Sequence, residues 1–69
     1  MKTVYDVQQL LKKFGIIIYV GNRLADLELM EMEILELYKT QLIPKDIFSN
    51  ALLLLRMEIE KEKTRGKRE

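Results

Sequence analysis

Sixty-nine residues, 48% hydrophobic and 33% charged, with 12 Lys+Arg against 11 Asp+Glu, allow one small domain. A chain of this length buries only roughly 60% of its unfolded surface, so an enclosed active-site cavity is not expected. The sequence has neither Cys nor His, which excludes disulfides, Cys/His zinc sites and imidazole general bases.

The N-terminal stretch Met1 to Asp6 lacks the apolar core of a signal peptide, which points to a cytoplasmic chain. Its longest apolar runs, Ile16 to Val20 and Ala51 to Leu55, fall far short of the roughly 20 residues that cross a bilayer. No membrane partner is expected.

Thr3 and Asp6 have the spacing of a helix N-cap whose third residue bonds back to it, with Asp in the place of the usual Glu. A first helix is predicted from about 3 to 14. Val4, Val7, Leu10, Leu11 and Phe14 share one arc at 100° per residue, and Gly15 supplies the left-handed position that ends the helix. One face is core and the other is wet.

Gly15 to Gly21 encloses Ile16-Ile17-Ile18-Tyr19-Val20, a β-branched and aromatic run that reads locally as a strand. A strand needs a partner, and no second strand-like run exists in the chain. The segment therefore crosses the bundle as an extended apolar connector, the favoured reading, or pairs with the same segment of another subunit.

Asn22 is a good N-cap for a second helix from about 23 to 40. Leu27, Met30, Ile34, Leu37 and Tyr38 form its main apolar stripe, while Ala25, Leu29 and Met32 form a weaker one elsewhere. Pro44, favoured at a first helical position, and Asp46, suited to the positive end of a helix dipole, start a third helix near 44. Ile47, Phe48, Ala51, Leu52, Leu55 and Ile59 share its inner face; Leu53 and Met57 project elsewhere. The apolar pattern stops at Ile59. Residues 61–69 are expected to be a fraying helix end and a disordered charged tail, beyond a bundle domain of residues 1–60.

The fold class is all-α, a compact three-helix bundle with an extended apolar connector between helices one and two. Surplus apolar surface on helices two and three favours a homo-oligomer over a monomer.

Chemistry is sparse. Glu28 with Glu31 and Glu33 with Glu36 have the i, i+3 spacing of paired carboxylates, but Asp26 and these four scatter around the helix and no His joins them. They read as a solvated acidic face, so no metal or other cofactor is expected. The available hydroxyls have no imidazole to activate them, and Gly15 and Gly21, separated by bulky residues, make no phosphate-cradling loop. The chain reads as a non-enzyme.

Charge gives the better lead. Residues 26–36 carry −5, whereas residues 61–69 carry five cations against two acids. Lys61, Lys63, Arg65, Lys67 and Arg68 could neutralise phosphates in a salt-dependent way. On the wet side of helix one, Tyr5 and Lys12 are nearly aligned with Gln8 and Gln9 between them, and Lys13 follows. Rings that stack on bases, amides that read base edges and cations for phosphates are the chemistry of single-stranded nucleic-acid binding. Tyr19 and Arg23, flanking Gly21, would extend this strip if the connector folds back. Duplex reading is disfavoured, because the second helix is acidic and the third turns apolar after Pro44-Lys45-Asp46.

The strings Tyr5-Asp6-Val7-Gln8-Gln9-Leu10-Leu11-Lys12, Phe14-Gly15, Ile18-Tyr19, Gly21-Asn22-Arg23 and Asp26-Leu27-Glu28-Leu29-Met30 resemble the YqgQ-like family of short bacterial proteins. The resemblance covers about residues 3 to 57. It implies an all-helical fold, a cytoplasmic setting and single-stranded nucleic-acid binding, with Tyr5, Gln8, Gln9, Lys12 and Arg23 in the matching strings. The tail from Lys61 lies outside them. The reading is thus a small binding protein for single-stranded RNA or DNA; its alternative is a protein-interaction or self-association module using the surplus apolar face of helices two and three.

Overall fold

A computed structural model describes residues 1–67, with side chains as far as Arg65. It contains α1 (Val4–Lys13), α2 (Arg23–Lys39) and α3 (Lys45–Lys67), and no strand among the described residues. The all-α, three-helix reading is correct.

The helix ends follow from the residues at them. Thr3 caps α1 by accepting from the Asp6 N–H at 3.4 Å, while the Asp6 carboxylate accepts from the N–H groups of Thr3 at 3.1 Å and Lys2 at 2.8 Å. This reciprocal box satisfies donors that the first helical turn leaves bare. At the other end, the N–H of Gly15 donates to the Lys12 carbonyl and that of Ile16 to the Leu11 carbonyl, with Gly15 at φ 77°. That pair of bonds is the Schellman closure, which needs a left-handed residue where Gly15 stands. Asn22 caps α2 by accepting from the Ala25 N–H at 2.9 Å.

Two boundaries differ from the sequence expectation. Pro44 sits one position before the helix, its carbonyl accepting from the Phe48 N–H at 3.0 Å, so Lys45 is the first helical residue. The second is at the C-terminus, where α3 runs to Lys67. Its last turns are held by charge pairs three residues apart, Glu58 with Lys61 at 3.3 Å and Glu62 with Arg65 at 3.4 Å, on residues of good helix propensity. The tail reading for Arg68 and Glu69 falls outside the described residues.

The core forms where the three inner faces meet. Val4, Val7 and Leu11 of α1, Leu27, Met30, Ile34 and Leu37 of α2, and Ala51, Leu55 and Ile59 of α3 are buried, together with Ile43 from the loop between α2 and α3. No polar side chain is buried among them. Tyr38 and Phe48 stack across that loop with ring centroids 4.2 Å apart and planes 9° from parallel. Such a pair adds to stability beyond its buried area and fixes how the two helices enter their turn. Phe14, expected in the core arc of α1, is 38% exposed; as the C-cap it follows the chain out of the helix.

Residues 16–20 form the connector between α1 and α2, in neither helix nor strand. Ile16 and Ile18 pack partly buried against the core, whereas Ile17, Tyr19 and Val20 are exposed. The Val20 N–H donates to Asp26 Oδ1 at 2.7 Å, tying the end of the connector to the first turn of α2.

Candidate functional site

The wet face of α1 borders two adjoining concavities, and Gln8 lines both. The first, about 190 Å³, lies between α1 and the connector, with Gln8, Gln9 and Lys12 on one wall, Ile16, Ile17 and Ile18 on the other, and Leu11 and Met30 at its base. The second, about 340 Å³, is bordered by Lys2, Tyr5 and Gln8 of the N-terminal segment and α1, by Arg23 of α2, and by Leu54 and Glu58 of α3. Together they make a strip with an apolar side, two amides, a phenol ring and cations.

The parts come together because α1 lies over the hairpin of α2 and α3 with its apolar arc inward. Tyr5, Gln8, Gln9 and Lys12 consequently face out, Tyr5 at 64% exposure. Arg23 enters from a different element. The Gly21 turn, at φ 83°, followed by the Asn22 cap, starts α2 so that its first helical residue points toward α1 and α3. The expected union of Arg23 with Tyr5 and Gln8 is therefore present, although it depends on where α2 begins and not on the connector folding back.

Arg23 does not stand alone there. Its guanidinium Nη2 lies 3.7 Å from Glu58 Oε1, and the other carboxylate oxygen of Glu58 receives Lys61 Nζ at 3.3 Å. One carboxylate thus bridges a cation of α2 and a cation of α3 at the rim of the second concavity. Both Arg23 and Glu58 remain partly exposed, so the pair is weak and exchangeable.

The remaining candidates are dispersed. Lys13 lies on the other flank of α1, beside a concavity with Lys2, Asp6, Gln9 and Ile47. Tyr19, at 82% exposure, borders neither groove of the strip. Lys61 reaches the rim through Glu58, Arg65 is paired with Glu62, and Lys63 is exposed farther along α3. Lys67 is described only as helix, and Arg68 lies outside the described residues.

The acidic residues of α2 act singly. Glu31 accepts from Arg56 Nε of α3 at 3.0 Å, and Asp26 holds the Val20 N–H. Among the described residues, no three acidic side chains cluster as a metal site would require. Sequence reasoning missed Lys2 and Glu58. Lys2 precedes any periodic segment, and Glu58 joins the strip only through long-range packing of α3 against α1. Its i, i+3 relation to Lys61 was the one local signal available.

Comparison with known proteins adds the family. The YqgQ-like family model matches residues 1–61. A protein of Bacillus subtilis (strain 168), named "Uncharacterized protein YqgQ", is 48% identical over 63 residues, covering 91% of this chain and 89% of that one. No helix among the described residues is long and apolar enough to cross a membrane.

Proposed function

The chain belongs to the YqgQ-like family, and we propose that it serves as a non-enzymatic binding protein for single-stranded RNA or DNA. One observation carries this reading: Arg23 of α2 is brought beside Tyr5 and Gln8 of α1, in a groove continuous with Gln9 and Lys12. Each part has a role in holding a single strand. The exposed ring of Tyr5 offers a base a stacking surface, Gln8 and Gln9 offer donor and acceptor groups to base edges, and Arg23, Lys2 and Lys12 lie where a passing backbone would place phosphates. The two concavities adjoin at Gln8, so a flexible strand could pass from one to the other.

Fluorescence anisotropy of a labelled oligonucleotide tests it. Binding is expected at low salt, and Tyr5→Ala should weaken it about tenfold, the size of one lost stacking contact. Lys45→Ala, at the far end of the bundle, should leave it unchanged. No binding at low salt, or equal binding by wild type and Tyr5→Ala, overturns the reading.

The exposure of Met32 at 65%, Leu53 at 61% and Met57 at 51% supports a second reading, a protein-interaction or self-association face on α2 and α3. It predicts that Met32→Lys and Leu53→Lys abolish association without touching oligonucleotide binding.

A further inference from the structure

The two adjoining concavities differ in chemistry. In the smaller one, Ile16, Ile17 and Ile18 of the connector make an aliphatic wall, and Leu11 and Met30, each 1% exposed, make the base. The facing wall is polar, with the amides of Gln8 and Gln9 and the cation of Lys12. Among the described residues, no carboxylate lines it, whereas Glu58 borders the neighbouring concavity and pairs there with Arg23.

Size and lining together narrow the occupant. The volume is about 190 Å³, below the roughly 300–1,000 Å³ of sites that enclose a drug-sized ligand. It has room for one ring system and not for a whole nucleotide. Water in contact with isoleucine and methionine side chains gains few hydrogen bonds there and is readily displaced by an apolar face. An aliphatic ligand would displace it too, but would leave Gln8 and Gln9 desolvated and unpaired. A nucleobase satisfies both walls: its face lies against aliphatic side chains, its edge carries donors and acceptors that an amide can pair with, and the phosphate joined to it is an anion for Lys12.

We propose that this concavity takes one unstacked base of a bound strand, held between the isoleucines of the connector and the amides of α1. Resting on the single-strand reading, the proposal gives the strand a second base site beside Tyr5. Gln9 stands four residues beyond Tyr5 on α1, about 6 Å along the helix axis, against roughly 3.4 Å between stacked bases. Bases seated at both places are therefore unstacked from each other, as in the recognition of single strands.

Mononucleotides test the pocket directly. When the full chain is titrated with uridine and adenosine 5′-monophosphates and followed by NMR, the ring current of an inserted base should move the methyl signals of Ile16, Ile17, Ile18 and Met30 for at least one of them. The side-chain amide signals of Gln9 should move with them. Ribose 5-phosphate, which carries the anion without the ring, should leave the methyl signals in place. Ile17→Ala and Gln9→Ala change exposed side chains, so both variants should keep the circular dichroism of the wild type. Each should weaken binding of the labelled oligonucleotide about fivefold, the loss of one base contact.

Methyl shifts that are absent with both nucleotides, or as large with ribose 5-phosphate, overturn the pocket. It is equally overturned if Tyr5→Ala weakens oligonucleotide binding while Ile17→Ala and Gln9→Ala bind like wild type, a result that leaves the single-strand reading standing. Failure of the wild type to bind the oligonucleotide overturns the single-strand reading and the base pocket with it.

Discussion

At the scale of single residues, Asp6 shows how much of a small fold hangs on one capping carboxylate. Its pKa is held below the ordinary value of 3.8, first by the N–H of Lys2 and then by that of Thr3, both of which stabilise the charged form. Because the folded-state value is the lower one, the unfolded chain binds more protons in acid. The stabilisation is complete above the ordinary value and is lost as pH falls through the folded one. Asp6→Asn should therefore lower the melting temperature near pH 6 and flatten its decline between about pH 5 and pH 3. Thermal melts by circular dichroism of both proteins check this, and parallel pH profiles would show that Asp6 has no part in the acid sensitivity. Thr3 and Asp6 were legible as a box because the geometry needs only their three-residue spacing. Tyr5, Gln8, Gln9 and Lys12 were legible for a similar reason, since the arc that buries Val4, Val7 and Leu11 leaves them wet. Arg23 beside Tyr5 was anticipated only conditionally, and Glu58 between Arg23 and Lys61 was not.

At the scale of elements, the helix starts at Thr3, Asn22 and Pro44 were readable to within about a residue, as were the ends of α1 and α2; the form of the turn after α2 was not. α2 ends like α1: the N–H of Gln41 donates to the Tyr38 carbonyl at 3.0 Å and that of Leu42 to the Leu37 carbonyl at 2.8 Å, the same Schellman pair. The left-handed position is filled here by Gln41 at φ 63°, where a side chain is strained. No glycine marked the turn, so its form was hidden from the sequence. Gln41→Gly should relieve that strain and, after the greater flexibility of glycine in the unfolded state, stabilise by about 0.5–1 kcal/mol. For a domain of this size that raises the melting temperature by about 3 to 6 °C. An unchanged or lower value would mean that the Gln41 side chain contributes enough to offset the backbone strain. The length of α3 was open for a different reason. Apolar periodicity reports burial, and beyond Ile59 the helix continues on local charge pairs and propensity alone. The connector was ambiguous because five apolar residues in a row carry no period; the alternation that makes Ile17 and Tyr19 the outer face comes from packing of Ile16 and Ile18 on the core.

For the whole molecule, a net charge of +1 conceals a local arrangement. Three acids of α2 and α3 are matched to cations across and along helices, Glu31 with Arg56, Glu58 with Arg23 and Lys61, and Glu62 with Arg65. Long-range attraction of a polyanion is correspondingly slight, so under the proposed function affinity for a single strand would come from the few cations bordering the two grooves. If Lys2, Lys12 and Arg23 each displace one counterion, affinity falls with about the second power of salt concentration, roughly 20-fold between 50 and 200 mM. Arg23→Gln should reduce the slope by about 0.7, leaving a fall of roughly sevenfold over the same range. Glu58→Gln should act in the opposite direction, tightening binding at low salt, because the carboxylate no longer competes with phosphate for Arg23 and Lys61. Glu36→Gln makes the same change in net charge on an exposed residue of α2 away from the grooves, and so separates local competition from the overall field. Anisotropy titrations of the four proteins at both salt concentrations measure each of these effects. Equal tightening by Glu58→Gln and Glu36→Gln would show that the molecule's total charge governs the affinity, and would remove Glu58 from the strip.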